Sequence, residues 1–165
     1  MVPVLQTERL ELRGWEVDDF PAYAAFCADA KRTRYSVSGG SSLPDAWHAF
    51  TAMVGEWALN DYGCFAVSEI GSPQPAGYAG IWYPPDISEP ELMWGLFDGF
   101  EGKGFATEAA EAVKVWAREV LKWQPLMSFI HPENEASIAV AKRLGANLES
   151  KGSLRGEARL IFRHT

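Results

Sequence analysis

The segment Phe100-Glu-Gly-Lys-Gly-Phe-Ala-Thr-Glu108 joins an apolar run, Glu91-Leu-Met-Trp-Gly-Leu-Phe97, to the clearest helical stretch of the chain, Thr107 to Lys122. Gly102 and Gly104 permit a tight turn that aims several backbone N–H groups one way, just where a helix begins. Unpaired donors and the positive end of the helix dipole make a cradle for an anion, and no side chain blocks the approach. The same glycines equally serve a sharp strand-to-helix connection, because short glycine motifs are common. Two nucleotide motifs do not fit. A P-loop needs Gly-Lys followed by Ser or Thr, and the dinucleotide fingerprint needs a third Gly where Thr107 stands.

Working outward, the stretch after the cradle carries Ala109, Val113, Trp116, Ala117 and Val120 on one face. Its acids come early and Arg118 and Lys122 come late, as a helix dipole favours. Leu126-Met-Ser-Phe-Ile130 reads as a short buried strand and Asn134 to Leu144 as a helix stopped by Gly145. Two strands, about Asn147–Ser153 and Arg159–His164, end the chain. Upstream, Cys64–Glu69 and Ala76–Trp82 flank a Pro- and Gly-containing loop, the pattern of an antiparallel hairpin. Arg9–Arg13 alternates like a half-buried strand. A helix opens near Asp18, its expected cap, with Pro21 in the first turn. A second helix from Asp45 carries Trp47, Phe50, Val54 and Trp57, and Tyr35–Pro44 between them is loop-like. The predicted order is β-α-α-β-β-β-α-β-α-β-β: an α/β fold with a mixed, mostly antiparallel sheet flanked by about four helices, in one domain over residues 1–165.

Composition narrows the function classes. Of 165 residues, 47% are hydrophobic, and seven Trp, five Tyr and nine Phe supply a substantial core rather than a disordered chain. Lys plus Arg number 15 against 22 Asp plus Glu, a net charge of −7, so no general attraction to nucleic acid or an anionic membrane is expected. Any anion must be held by a local device. Cys27 and Cys64 lack CxxC spacing, no window approaches the ~18 apolar residues of a membrane span, and the N-terminus has no signal pattern. A cytoplasmic location is the expectation. His48, His131 and His164 have no ligand spacing, so no metal is expected.

A second constellation is His131-Pro-Glu-Asn-Glu-Ala-Ser-Ile-Ala-Val-Ala-Lys-Arg-Leu-Gly145, where Asn134 caps a helix and Ser137 lies in its first turn. With Gly102-Lys-Gly-Phe-Ala-Thr-Glu-Ala about thirty residues earlier, the chain resembles the GNAT superfamily of N-acetyltransferases. Within it, the likeness is to the ribosomal-protein alanine acetyltransferases (RimJ/RimL-like). The opening Thr7-Glu-Arg-Leu-Glu-Leu-Arg13 and the ending Ala158-Arg-Leu-Ile-Phe-Arg-His164 are typical of that branch, and the likeness covers nearly the whole chain.

The resemblance implies acetyl-CoA as cosubstrate. Its pyrophosphate would lie on the amides of Gly102, Lys103, Gly104, Phe105, Ala106 and Thr107. Glu101 departs from the usual Gln or Arg and brings a negative charge beside that site. The pantetheine arm would pair like an added strand with Leu96, Phe97 and Asp98 and meet the side chain of Asn134. The implied reaction is direct attack of a primary amine, on a small molecule or a protein N-terminus, through a tetrahedral intermediate. Glu91 is the candidate base, through water or directly if burial raises its pKa, with Glu89 as the rival. A backbone N–H near Leu96 would hold the oxyanion. The common Tyr acid is replaced by Ala141, and Ser137 takes that role in the resembling branch. Tyr35, Trp82 and Trp94 are candidate walls of the acceptor pocket, with Tyr35–Ser42 as its cover, although core packing is the stronger reading for Trp82 and Trp94. Cys27 and Cys64 make poor nucleophiles. The chain would act as a monomer or homodimer. A noncatalytic acyl-CoA-binding module of the same fold is the alternative.

Overall fold

Leu10 and Leu12 are buried, whereas Glu11 and Arg13 are only half-buried, so the period-two pattern of this segment makes a strand with one core face. In the computed structural model, which describes residues 1–36 and 40–165, this strand is β2 (Leu10–Arg13), preceded by β1 (Leu5–Gln6). The chain continues through α1 (Phe20–Ala28), α2 (Leu43–Asn60), β3 (Cys64–Glu69), β4 (Pro75–Trp82), β5 (Glu91–Leu96) and α3 (Phe105–Trp116). It ends with β6 (Leu126–Ile130), α4 (Glu135–Arg143), β7 (Asn147–Leu154) and β8 (Glu157–His164). The order matches the sequence reading except for β1, whose two residues offer no alternation to detect. Val37, Ser38 and Gly39, within the loop expected to cover the acceptor pocket, lie outside the described residues.

The eight strands form one sheet in the order β1-β2-β3-β4-β5-β6-β8-β7, antiparallel at every described pairing except β5 with β6. One face packs against α3 and α4, where Phe65, Val67, Ala79, Ile81 and Leu92 meet Phe105, Ala109, Val113 and Val140. The other face packs against α1 and α2, where Cys64, Tyr78, Met93 and Phe97 meet Tyr23, Cys27, Phe50 and Met53. Burying these apolar side chains supplies the main driving force, roughly 25 cal/mol for each Å² removed from water. No helix among the described residues is long and apolar enough to cross a membrane.

Three local expectations need correction. Asp18 does not cap α1. A 3-10 turn, Val17–Asp19, precedes it; Glu16 and Asp19 bond reciprocally, and Arg13 holds the buried Asp19 carboxylate through Nη1 and Nη2 at 2.7 and 2.8 Å. Helix α2 starts two residues before Asp45 because the Ser42 hydroxyl accepts from the Asp45 N–H. Its buried positions are Ala46, Phe50, Met53 and Trp57, so Trp47 and Val54 stay exposed. Helix α3 begins at Phe105 rather than Thr107 and passes after Trp116 into a π turn, Ala117–Leu121. That extra residue per turn rotates the face, leaving Val120 exposed while Trp116 and Ala117 stay buried.

Candidate active site

The parallel pair β5–β6 is in register only at Glu91 and Met127, with the Met127 N–H bonded to the Pro90 carbonyl at 3.0 Å. Beyond that point the strands separate, and two side chains brace the gap. The Glu91 carboxylate accepts the Phe129 N–H at 3.1 Å. The Ser128 hydroxyl reaches the Leu92 carbonyl at 2.5 Å and lies 2.8 Å from His164 Nε2. Because Ser128 donates to Leu92, His164 Nε2 carries the proton toward Ser128. The opening is part of a cleft of about 1510 Å³, room enough for a large ligand with a second one beside it.

The separation leaves an unpaired strand edge. The Phe97 N–H is bonded to the Ala76 carbonyl at 2.8 Å, on the β4 side, while the Leu92 carbonyl is met from the β6 side. Alternate residues of an antiparallel strand turn both backbone groups the same way, so Trp94 and Leu96 present theirs to the opening. Phe97 is therefore a correction: its amide belongs to the sheet and its buried ring packs with Tyr23 and Phe26. Asp98 is exposed, and its carboxylate pairs with Arg32.

Past β5, Gly102 and Gly104 take φ of 75° and 82°, the left-handed region where a side chain costs energy, and Gly104 caps α3 without a side-chain bond. Among the described residues no N–H from Gly102 to Thr107 meets a protein acceptor; the first helical bond is from Glu108 to the Gly104 carbonyl. The Thr107 hydroxyl is buried without a partner and lines the same cleft. Six free amides, an orphaned hydroxyl and a helix N-terminus fit a diphosphate. The Glu101 carboxylate, the departure noted in the sequence, is paired with Arg32, which offsets its charge.

The cradle is held in place by residues to which the sequence reading assigned no role. Glu108, in the first turn of α3, accepts from Thr7 Oγ1 at 2.6 Å, the Arg9 N–H at 3.0 Å and Arg9 Nε at 2.8 Å. Burial pushes the Glu108 carboxyl up, but the Thr7 and Arg9 bonds outweigh it and hold it below its ordinary value. Arg9 Nη1 also donates to the Lys103 carbonyl at 2.9 Å, and the guanidinium lies 4.9 Å over the Phe105 ring. One arginine thus ties the β1–β2 turn to the carbonyl side of the loop whose N–H groups stay free.

Glu91 and Trp82 are directly opposed across β4 and β5, so their side chains share a face, the one bearing Tyr78 and Met93. Burial raises the Glu91 carboxyl to about 7, against the Phe129 N–H and the charges of Arg159 and Arg155. Glu89 is a different kind of group. Its bond to Arg163 holds its carboxyl below the ordinary range, which removes it as a base. Trp94 also lines the cleft, but it fits the core-packing reading, since alternation sends its ring to the α4 side. There it packs against the cluster of Ile130, Ala141 and Phe162 and meets His164 edge-on at 6.2 Å. Tyr35 lines the cleft, stacked on His131 at 4.8 Å. Asn134 caps α4 by accepting the Ser137 N–H at 3.1 Å, which leaves its amide NH₂ free to donate. Ser137 lines the cleft with no hydroxyl partner among the described residues. Cys27 and Cys64 are buried, and burial raises both thiols. Among the described residues no group of three or more His, Cys, Asp or Glu could hold a metal ion.

The chain is similar in sequence and fold to known proteins. The chain is 25% identical over 151 residues to the uncharacterized N-acetyltransferase YnaD of Bacillus subtilis (strain 168), covering 88% of this chain and 83% of that one. An acetyltransferase from Agrobacterium tumefaciens str. C58 superposes with a TM-score of 0.92 at 35% identity, covering 100% of this chain and 95% of that one. The ribosomal-protein-S5-alanine acetyltransferase of Vibrio fischeri shares the fold at a TM-score of 0.72 and 17% identity, over 98% and 95% of the two chains. Residues 9–147 match the family model described as the acetyltransferase (GNAT) domain, a span that holds the amide cradle, Glu91 and Asn134; the chain is a GNAT acetyltransferase.

Proposed function

We propose that the chain transfers an acetyl group from acetyl-CoA to a primary amine, on a small molecule or a protein N-terminus. The observation that carries this reading is the set of unpartnered amides from Gly102 to Thr107 opening on the same cleft as the Glu91 carboxyl. Bound acetyl-CoA supplies an acetyl thioester, and the protein's residues do the rest. The cradle amides and the Thr107 hydroxyl hold the diphosphate. Trp94 and Leu96 offer strand-edge groups to the pantetheine, whose carbonyl meets the Asn134 NH₂. One of those edge N–H groups stabilises the charge that develops on the acetyl oxygen.

Glu91 takes the proton from the attacking amine. At an ordinary carboxylate pKa of ~4.3 it would be too weak a base, but a value of about 7 brings it near the working pH. Ser137 returns a proton toward the leaving sulfur. Calorimetric titration with CoA and free-thiol release over a panel of amines test the reading, with Glu91→Gln and Ser137→Ala as variants. Binding heat with acceptor-dependent thiol release is the expected result. Heat from CoA with no thiol release under any acceptor would instead establish a noncatalytic acyl-CoA-binding module, and no heat at all overturns both.

A further inference from the structure

Besides Arg9 and Arg32 at the cradle, four arginines line the cleft, Arg34, Arg143, Arg155 and Arg159, and three of them lie on loops or strands outside α4: Arg34, Arg155 and Arg159. Arg159 is only 3% exposed. Its neighbours Leu160 and Phe162 face the α4 side, so by alternation Arg159 shares the sheet face of Glu91. Its guanidinium donates to the Ala158 carbonyl at 2.9 Å and to Glu157 at 2.7 Å, and those two contacts leave most of its five N–H donors uncommitted. Arg155 occupies the two-residue β7–β8 turn with φ of 50° and reaches Asp86, in the β4–β5 connection, at 3.0 and 3.3 Å. That bridge joins two loops into a wall on the acceptor side. Arg34 is exposed, lies 4.7 Å over the Tyr35 ring, and has no carboxylate partner among the described residues.

The acids of the cleft are distributed differently. Asp29 and Glu101 are tied to Arg32, and Glu108 to Arg9. Glu91 is left as the one cleft-lining acid of the acceptor side among the described residues. In a chain with a net charge of −7, this part of the surface concentrates guanidinium groups. Asp86 and Glu157 offset part of this charge, but Arg34 has no carboxylate partner among the described residues and Arg159 keeps uncommitted donors. Such groups repel an ammonium and favour the neutral amine that must attack. They need something else to attract the substrate. Planar guanidinium groups supply that for carboxylates, through paired N–H donors.

We infer that the acceptor is an amine carrying a carboxylate close to the reacting nitrogen, read by Arg34, Arg155 and Arg159. The inference rests on the acetyltransferase reading above. Free amino acids and peptides with an acidic second residue share this chemistry, and the test separates them.

Thiol release is compared for the amidated dipeptides Ala-Asp and Ala-Asn, and for alanine and alaninamide at equal free-amine concentration. CoA titration runs in parallel. A preference of about tenfold in kcat/KM for the carboxylate member is expected, shrinking as salt rises. The arm that shows it identifies the source. Arg34→Gln with Arg155→Gln should bring the ratio toward one, while Arg118→Gln, a surface variant away from the cleft, keeps it. Parity in both arms, turnover of no member, or a ratio that survives the double variant overturns the inference while CoA heat persists. Loss of CoA heat overturns the acetyltransferase reading instead.

Discussion

The two sides of the cleft are built from different materials. On the cofactor side the donors are backbone amides, and side chains such as Thr7, Arg9 and Glu108 only hold the loop from behind. On the proposed acceptor side the cleft is lined by side chains, among them Glu91, Trp82, Tyr35 and several arginines. A backbone site recognises one ligand and tolerates change in side chains, whereas a side-chain site is re-aimed by single substitutions. The family relationship therefore says much about the first side and little about the second.

Glu91 gives the sharpest way to break this division. Glu91→Gln should lower kcat/KM by roughly 10² to 10³ with CoA binding unchanged, as expected for loss of a general base. The wild-type profile should rise with pH through about 7, and the variant should lose that limb. Equal loss of CoA affinity in the titration would show that the two sides are not separable. The same substitution tests the cost of the base. With a folded pKa of about 7 against 4.5, the native state binds the extra proton between those values, so stability falls as pH rises across that window. Glu91→Gln keeps an acceptor for the Phe129 N–H and should be more stable than wild type at pH 8, by up to about 3 kcal/mol, but not at pH 4. His164 works in the opposite sense. Burial lowers it to about 4, so its contribution is present above pH 6.5 and is lost as pH falls through 4.

Arg9 probes the other side with a smaller expected effect. Arg9→Ala removes the guanidinium's bonds to Glu108 and Lys103, keeps the backbone bond from residue 9 to Glu108, and touches no free amide. KM for acetyl-CoA should rise about tenfold with kcat within a factor of two, the mark of lost positioning rather than lost chemistry. Steady-state kinetics with acetyl-CoA as the varied substrate decides it; a fall in kcat at unchanged KM would place Arg9 at the reacting atoms. Arg9→Lys keeps the charge but not the fork, so it should recover only part of the affinity.

The sequence reading reached the two sides unevenly, and the reason is contact range. The cradle, the Asn134 cap and the position of Glu91 were legible because each depends on neighbours a few residues away. The clamp is not legible: Thr7 and Arg9 meet Glu108 from about a hundred residues off, although they belong to the opening motif that resembles the branch. Phe97 was misplaced by parity. Shifting attention one residue along a strand reverses both the side chain's face and the direction of its amide. The π turn after Trp116 defeated the helical period for the same kind of reason, one added residue. The arginine wall was invisible because Arg34 and Arg155 lie in separate loops and only the fold brings them to one cleft.

Ser137 should give the smallest effect and the finest division. Its hydroxyl lies in the first turn of α4, where the Asn134 cap has already satisfied its N–H, so Ser137→Ala leaves the backbone geometry intact. A thiol of pKa about 8.5 is a good leaving group even without a proton donor. The substitution should lower kcat only a few-fold, leave KM for acetyl-CoA in place, and keep the rise through pH 7 that belongs to Glu91. A loss as deep as that of Glu91→Gln would mean that breakdown to the thiolate, and not deprotonation of the amine, limits turnover. In that case the cofactor side carries chemistry through a side chain, and its difference from the acceptor side would narrow to the cradle alone.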